Sequence, residues 1–194
     1  MENIDFNLLR DKAYKIAKDK GFHDENYSDE HYLVLVISEL SEALEAYRKS
    51  NCMYENIDNY NKIKRRLKDE FEDLFSFEDV FKNEIKKTYE NEIKDTFEDE
   101  LADTVIRLLD LAGYKKIIVS EEYLNLSVEN KSIPEHIFIL ISKLSSDFYL
   151  PYKIDFCIKY IFELSKKMGI DILWHIETKM RYNELRSYKH GKKF

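Results

Sequence analysis

Along most of this chain apolar residues recur at intervals of three and four, the spacing that gathers them on one side of an α-helix. Phe6, Leu9, Ala13, Ile16 and Ala17 make such a face over residues 3 to 20, and Gly21 is placed to stop that helix. Ser28 followed by Asp29 and Glu30 reads as an N-cap with an acidic first turn, opening a second helix that runs to Lys49. Residues 51 to 98 are densely charged. Ile63, Leu67, Phe71, Leu74, Phe77, Phe81 and Ile85 nevertheless keep a helical rhythm there, which predicts one or two amphipathic helices rather than a disordered linker. A further helix is expected from Thr96 to Gly113. Ser132 ahead of Pro134 and Glu135 predicts another that reaches Tyr149, and Pro151 begins one that ends before Gly169. Asp171 then caps a last helix running to Arg186. Between Lys115 and Ser132 the pattern does not decide, because KKIIV suits a short strand or a helical turn.

Composition narrows the class. Four glycines and two prolines leave little of the turn chemistry that hairpins and phosphate loops need, and no Walker or GxGxxG pattern occurs. An all-α helical bundle follows, a single domain spanning 1–194, the chain being long enough to bury a real core. Cys52 and Cys157 lie in no metal-ligand spacing and read as incidental thiols of a reduced compartment. The start, MENIDFNLLRDK, lacks a long apolar stretch, and nothing later approaches the ~18 apolar residues that span a bilayer. The expectation is a soluble, cytoplasmic protein with no membrane partner. A net charge of -7 argues against a nucleic-acid surface, although the basic C-terminal run KMRYNELRSYKHGKKF could hold a single nucleotide.

Two pairs of carboxylates separate themselves from the rest. Glu39 and Glu42 form ExxE in ISELSEALEAYRK, and Glu100 and Asp103 form ExxD in EDELADTVIRLLDLAG. Such pairs are common in a chain that is 36% charged, and most face solvent. Residues three apart, however, stand ~4.5 Å along a helix axis on one side, so both can reach one cation. On the helix expected from Thr96 to Gly113, Glu100, Asp103, Arg107 and Asp110 fall on one narrow stripe, while Leu101, Ala102, Val105, Ile106, Leu108, Leu109, Leu111 and Ala112 take nearly all the remaining circumference. A helix that apolar is largely buried, so its acidic stripe faces a thin strip of solvent or an internal polar site. On the second helix Leu33, Val36, Ile37, Leu40 and Leu44 make the core face. Glu39 and Glu42 lie beside it, and Ser38, Ser41, Glu45, Arg48 and Lys49 take the outer side. Facing stripes would put four carboxylates in partly dry space, where repulsion requires protons or cations, and all-oxygen ligands suit Mg²⁺ or Mn²⁺. The alternative is a helix-helix seam in which Arg107 and nearby lysines neutralise the stripe.

On the last helix His175, Lys179, Tyr182, Asn183 and Arg186 recur on one side, a set suited to phosphate and to sugar or base contacts. An ordinary solvated helix end is the competing reading. His23, His31 and His136 show no partner spacing, and His190 with Lys192 and Lys193 extends the positive tail.

Taken together, E39-L-S-E42, E100-L-A-D103 and K179-M-R-Y-N183-E-L-R186 resemble the MazG-like, all-α NTP pyrophosphohydrolases, to which the dimeric dUTPases are related. The resemblance covers about half the chain and implies a helical bundle of the all-alpha NTP pyrophosphatase type, usually assembled as a homodimer or homotetramer. It implies hydrolysis of nucleoside triphosphates, NTP or dNTP, to monophosphate and pyrophosphate in nucleotide-pool cleaning. Glu39, Glu42, Glu100 and Asp103 would be the metal-binding, catalytic carboxylates holding Mg²⁺, with Mn²⁺ possible, and Lys179, Tyr182, Asn183 and Arg186 would bind substrate. Members often carry a glutamate where this chain has Ser38, which leaves the general base unassigned. The long interval from Glu42 to Glu100 implies a helical insertion at about 51–95. A dUTPase-like, deoxynucleotide-specific hydrolase and a non-enzymatic helical interaction protein are the rival expectations.

Overall fold

The computed structural model describes residues 4–72, 79–120, 126 and 128–191. Leu74 and Phe77 of the charged segment, and Lys192 and Lys193 of the tail, lie outside them. Eight α-helices are present among the described residues: α1 (Phe6–Asp19), α2 (Asp29–Arg48), α3 (Ile57–Glu72), α4 (Asp79–Glu92), α5 (Phe97–Tyr114), α6 (Ile133–Leu144), α7 (Leu150–Met168) and α8 (Ile172–Leu185). None of the described residues is in a strand. The all-α expectation is met, and no described helix is long and apolar enough to cross a membrane.

The starts of these helices follow from short polar side chains that accept orphan backbone N–H groups. Asp5 accepts from Leu8, Ser28 from His31, Thr96 from Asp99 and Asp171 from Trp174. At α6 the Glu135 carboxylate accepts from both the backbone N–H and the hydroxyl of Ser132, at 2.8 and 2.7 Å. Gly169 ends α7 with φ 75°, and Gly21 follows α1 with φ 81°, the left-handed conformation that a residue without Cβ adopts freely.

Two boundaries differ from the sequence pattern. α6 stops at Leu144 rather than Tyr149, where Ser146 turns its hydroxyl onto the Lys143 carbonyl at 2.6 Å and competes with the next helical turn. Gly113 does not stop α5, which continues to Tyr114. Its role is close approach instead: a Cβ there would lie 2.5 Å from the Tyr14 Cβ, so its absence lets α1 pack directly on α5. Of the KKIIV run, Lys115 and Lys116 form the turn that closes α5, and residues 117–119 are in neither helix nor strand. Asn7 mimics a strand neighbour for them, donating to the Val119 carbonyl at 3.0 Å and accepting from the Val119 N–H at 3.1 Å.

α5 is the central helix and packs against α1, α2, α7 and α8, with Leu101, Ala102, Val105, Leu108, Leu109, Leu111 and Ala112 fully buried. At ~1.5–3 kcal/mol for each large apolar side chain removed from water, this one helix anchors the core. α6 lies across α2 and α7. In the charged segment α3 and α4 pack on each other, and Met53, Tyr60, Ile63, Leu67, Tyr89 and Ile93 build a second apolar cluster. That cluster takes in Tyr182 and packs against Trp174 and Leu185 of α8. Through Met53, Tyr54 and Tyr89 this segment meets the end of α5 where the acidic motif begins.

Candidate metal centre and adjoining cleft

The first turn of α5 places Glu98, Asp99 and Glu100 at the helix end whose free N–H groups and positive dipole favour carboxylates. All three are buried, and each faces a different partner. Glu98 accepts from the backbone N–H groups of Met53 and Tyr54, at 3.1 and 2.6 Å, and fixes the turn that enters the insertion. Asp99 accepts from Lys179 Nζ at 2.7 Å, from the Asp95 N–H at 3.1 Å and from the Tyr89 hydroxyl. Glu100 faces α2, where one carboxylate oxygen each from Glu39, Glu42 and Glu100 lie within 4.8 Å of one another. Oxygens bound to one octahedral Mg²⁺ stand about 3–4.2 Å apart, given metal–oxygen distances of ~2.1 Å, so small side-chain rotations bring these three onto one ion.

The other expected residues distribute differently. Asp103 is not in that group; its Oδ2 accepts from Lys179 Nζ at 2.8 Å. Lys179 is therefore not on a solvated face: it is only 3% exposed and bridges Asp99 and Asp103. Tyr182 is buried against α4, stacked on Tyr89 with ring centroids 4.2 Å apart, and donates to Glu90 at 2.9 Å. Glu42, expected beside the core face, is exposed. Ser38 donates to the Leu35 carbonyl of its own helix at 2.7 Å and supplies no base.

Charge does not balance here. Among the described residues the five carboxylates of Glu39, Glu42, Glu100, Asp99 and Asp103 pair with two cations, Arg107, whose Nε donates to Glu39, and Lys179, so full ionisation leaves three negative charges without an ion-pair partner. Burial, and then the Asp103 and Asp99 carboxylates, push the Glu100 pKa up to about 9, against the pull of Lys179. Burial likewise raises Glu39, with Arg107 opposing. On Lys179 burial works the other way, but Asp103 and Asp99 override it and keep the ammonium charged. Among the described residues neither Glu42 nor Glu100 makes an ion pair, and Glu100 is the buried one of the two, so its carboxylate is the one that a proton or a cation must accommodate.

A cleft of about 100 Å³ opens beside this centre between α1, α2, α5 and α8. Asp103 and Arg107 line it together with Asn183 and Arg186, so two of the four expected substrate contacts share a cavity with the acidic stripe. Its remaining wall is apolar and aromatic, including Ile16, Phe22, Tyr32, Leu35, Ile106 and Met180. Tyr27 and His31, also in the lining, stack with centroids 4.0 Å apart and planes 9° from parallel. Lys20 is fixed at the rim by donating to the Glu184 and Arg186 carbonyls, at 2.7 and 2.6 Å. Asp110 pairs with His23 Nε2 at 2.6 Å, so His23 has the partner its sequence position did not suggest. His136 is structural, its Nδ1 2.8 Å from the Tyr160 hydroxyl.

Sequence spacing did not single out Asp99 or Tyr89. Asp99 precedes the ExxD pair and looks like one more acidic residue of a helix start; the available signal is its i, i+4 relation to Asp103, which gives the two one shared neighbour. Tyr89 carried none, since only the folded insertion brings it to Asp99. Compared with family models, curated proteins and solved structures, the chain matches none. What fold and site define together is an all-α bundle with a partly buried carboxylate centre, its acids outnumbering the cations paired with them among the described residues, beside an aromatic cleft.

Proposed function

We propose that the chain is a metal-dependent nucleoside triphosphate pyrophosphohydrolase, converting NTP or dNTP to the monophosphate and pyrophosphate in cytoplasmic nucleotide-pool cleaning. The observation that carries the reading is the convergence of Glu39, Glu42 and Glu100 around an uncompensated buried charge, next to a cleft that presents cations and aromatic rings. The all-oxygen donor set fits Mg²⁺ or Mn²⁺ held by those three glutamates, and such an ion supplies Lewis-acid polarisation of the phosphoanhydride. Within the cleft Arg186 and Asn183 bind the substrate's polar groups, and the aromatic wall around Tyr27, His31 and Tyr32 receives the base. Glu42, the exposed member of the three, takes the proton of the attacking water at its carboxylate oxygen. The family resemblance adds self-association as a homodimer or homotetramer.

The test is release of monophosphate and pyrophosphate from a panel of NTPs and dNTPs with Mg²⁺, Mn²⁺ or chelator, comparing wild type with Glu100→Gln. Metal-dependent release that the variant loses is expected, and turnover confined to dUTP would select the dUTPase-like alternative. Absence of turnover with every nucleotide would sink the enzyme reading. One set of contacts favours the non-enzymatic alternative: Arg107 on Glu39, and Lys179 on Asp99 and Asp103, form a helix-helix ion-pair seam. That seam accounts for five of the charged groups but, among the described residues, leaves Glu100 and Glu42 without an ion-pair partner. If it were the whole role, Glu100→Gln would alter neither metal binding nor any catalysis.

A further inference from the structure

Lys179 crosses from α8 to the acidic edge of α5, and its ammonium lies 2.7 Å from Asp99 Oδ2 and 2.8 Å from Asp103 Oδ2. Asp99 and Asp103 are four apart on α5 and so present their carboxylates to the same point. A monovalent ammonium bridging two carboxylates at these distances fills the place that a divalent cation would take between them. The arrangement is braced from the insertion side as well, because Tyr89 of α4 donates to Asp99 and lies with its ring 5.6 Å from Lys179 Nζ. Withdrawing Lys179 to meet a substrate phosphate would leave two carboxylates unpaired in a site where the lysine is 3% exposed, a loss that breaking a buried pair makes strongly unfavourable. Of the three glutamates, Glu39 meets Arg107, and among the described residues Glu42 and Glu100 make no ion pair; burial first, and then the Asp103 carboxylate that borders this group, raise the pKa of both Glu39 and Glu100.

We propose that Lys179 is a built-in cation occupying the second position of a two-cation centre, so that the chain takes one divalent ion, at Glu39, Glu42 and Glu100. Asp103 is then a counterion of Lys179 rather than a metal ligand, and Lys179 a positioning residue rather than a phosphate contact. The inference rests on the metal-dependent reading above. One divalent ion also suits the charge balance, since it reduces the three uncompensated charges to one before an anionic substrate arrives.

The experiment is Mn²⁺ titration of the full chain, counting bound ions by electron paramagnetic resonance and calorimetry. Wild type is expected to bind one Mn²⁺ per chain. Asp103→Asn keeps that affinity within about tenfold, whereas Glu100→Gln loses about 100-fold, the difference between a neighbour and a ligand. Lys179→Met, where it folds, gains a second Mn²⁺ at Asp99 and Asp103; where it does not fold, wild type and Asp103→Asn decide. Two Mn²⁺ ions on wild type, or an Asp103→Asn loss equal to that of Glu100→Gln, overturns the proposal and leaves the metal reading standing. No Mn²⁺ on wild type overturns the metal reading and this inference with it.

Discussion

Replacing Glu100 by glutamine should make the metal-free protein more stable, not less. In the folded chain the Glu100 carboxyl is pushed up to about 9 from an ordinary 4.5, first by burial and then by Asp103 and Asp99. Between those two pH values the folded state holds a proton that the unfolded state has released. Stability from this group is therefore complete below pH 4.5 and falls as pH rises toward 9. At pH 7 the span is 2.5 units, which at ~1.36 kcal/mol per unit is a cost of about 3 kcal/mol. Glutamine keeps the shape and cannot ionise. For a chain of this size the gain corresponds to a rise in Tm of about 6–12 °C. Metal narrows the gap, since an ion at 100-fold its Kd stabilises wild type by about 2.7 kcal/mol and finds one ligand fewer in the variant. The assay is thermal unfolding of both proteins at pH 5, 7 and 8, in chelator and in Mn²⁺. A variant less stable than wild type in chelator at pH 7 would refute the reasoning and make Glu100 a structural partner.

Three further outcomes are expected. His175, buried on α8 with Nδ1 unpartnered, has its pKa lowered to about 3, chiefly by burial, so its contribution is complete above pH 6.5 and is lost as pH falls. Unfolding in urea should show about 2 kcal/mol lost between pH 7 and pH 5 through this group, and a His175→Phe protein with the same pH profile as wild type would contradict it. Gly113→Ala must push Tyr14 aside and should cost about 1–3 kcal/mol despite alanine's better helix propensity; an unchanged urea midpoint would show that α1 yields freely. Tyr89→Phe removes a buried hydroxyl from Asp99 and should destabilise the chain by about 1.5–3 kcal/mol, with no change if that contact is absent in solution.

The helices were legible because their signals are local. The caps Ser28, Thr96, Ser132 and Asp171 and the stripe Leu101–Ala112 each depend on neighbours within a turn or two. Glu39, Glu42 and Glu100 were legible for a related reason: a nearly all-apolar helix offers few directions in which a carboxylate can point. Solvation of the last helix was not legible. Lys179, Tyr182, Asn183 and Arg186 share one side by periodicity, yet α5 and the α3–α4 insertion bury the first two, while Asn183 and Arg186 reach the cleft. Periodicity states which residues share a face, and only the partner helix decides whether that face meets water.

The same distinction explains why the insertion bears on the site at all. Read alone, the charged segment at about 51–95 is one or two amphipathic helices whose charges look like a solvated face. Folded, this segment contributes Tyr89 to Asp99 and receives Glu98 on the backbone of Met53 and Tyr54, so its attachment uses the same first turn of α5 that supplies Glu100. Asp99 and Glu98 are thereby committed to holding the insertion and Lys179, which leaves Glu100 as the carboxylate of that turn still free to meet α2. A short helix start carries three adjacent acids because it has three separate obligations, and the unpaired one faces Glu39 and Glu42.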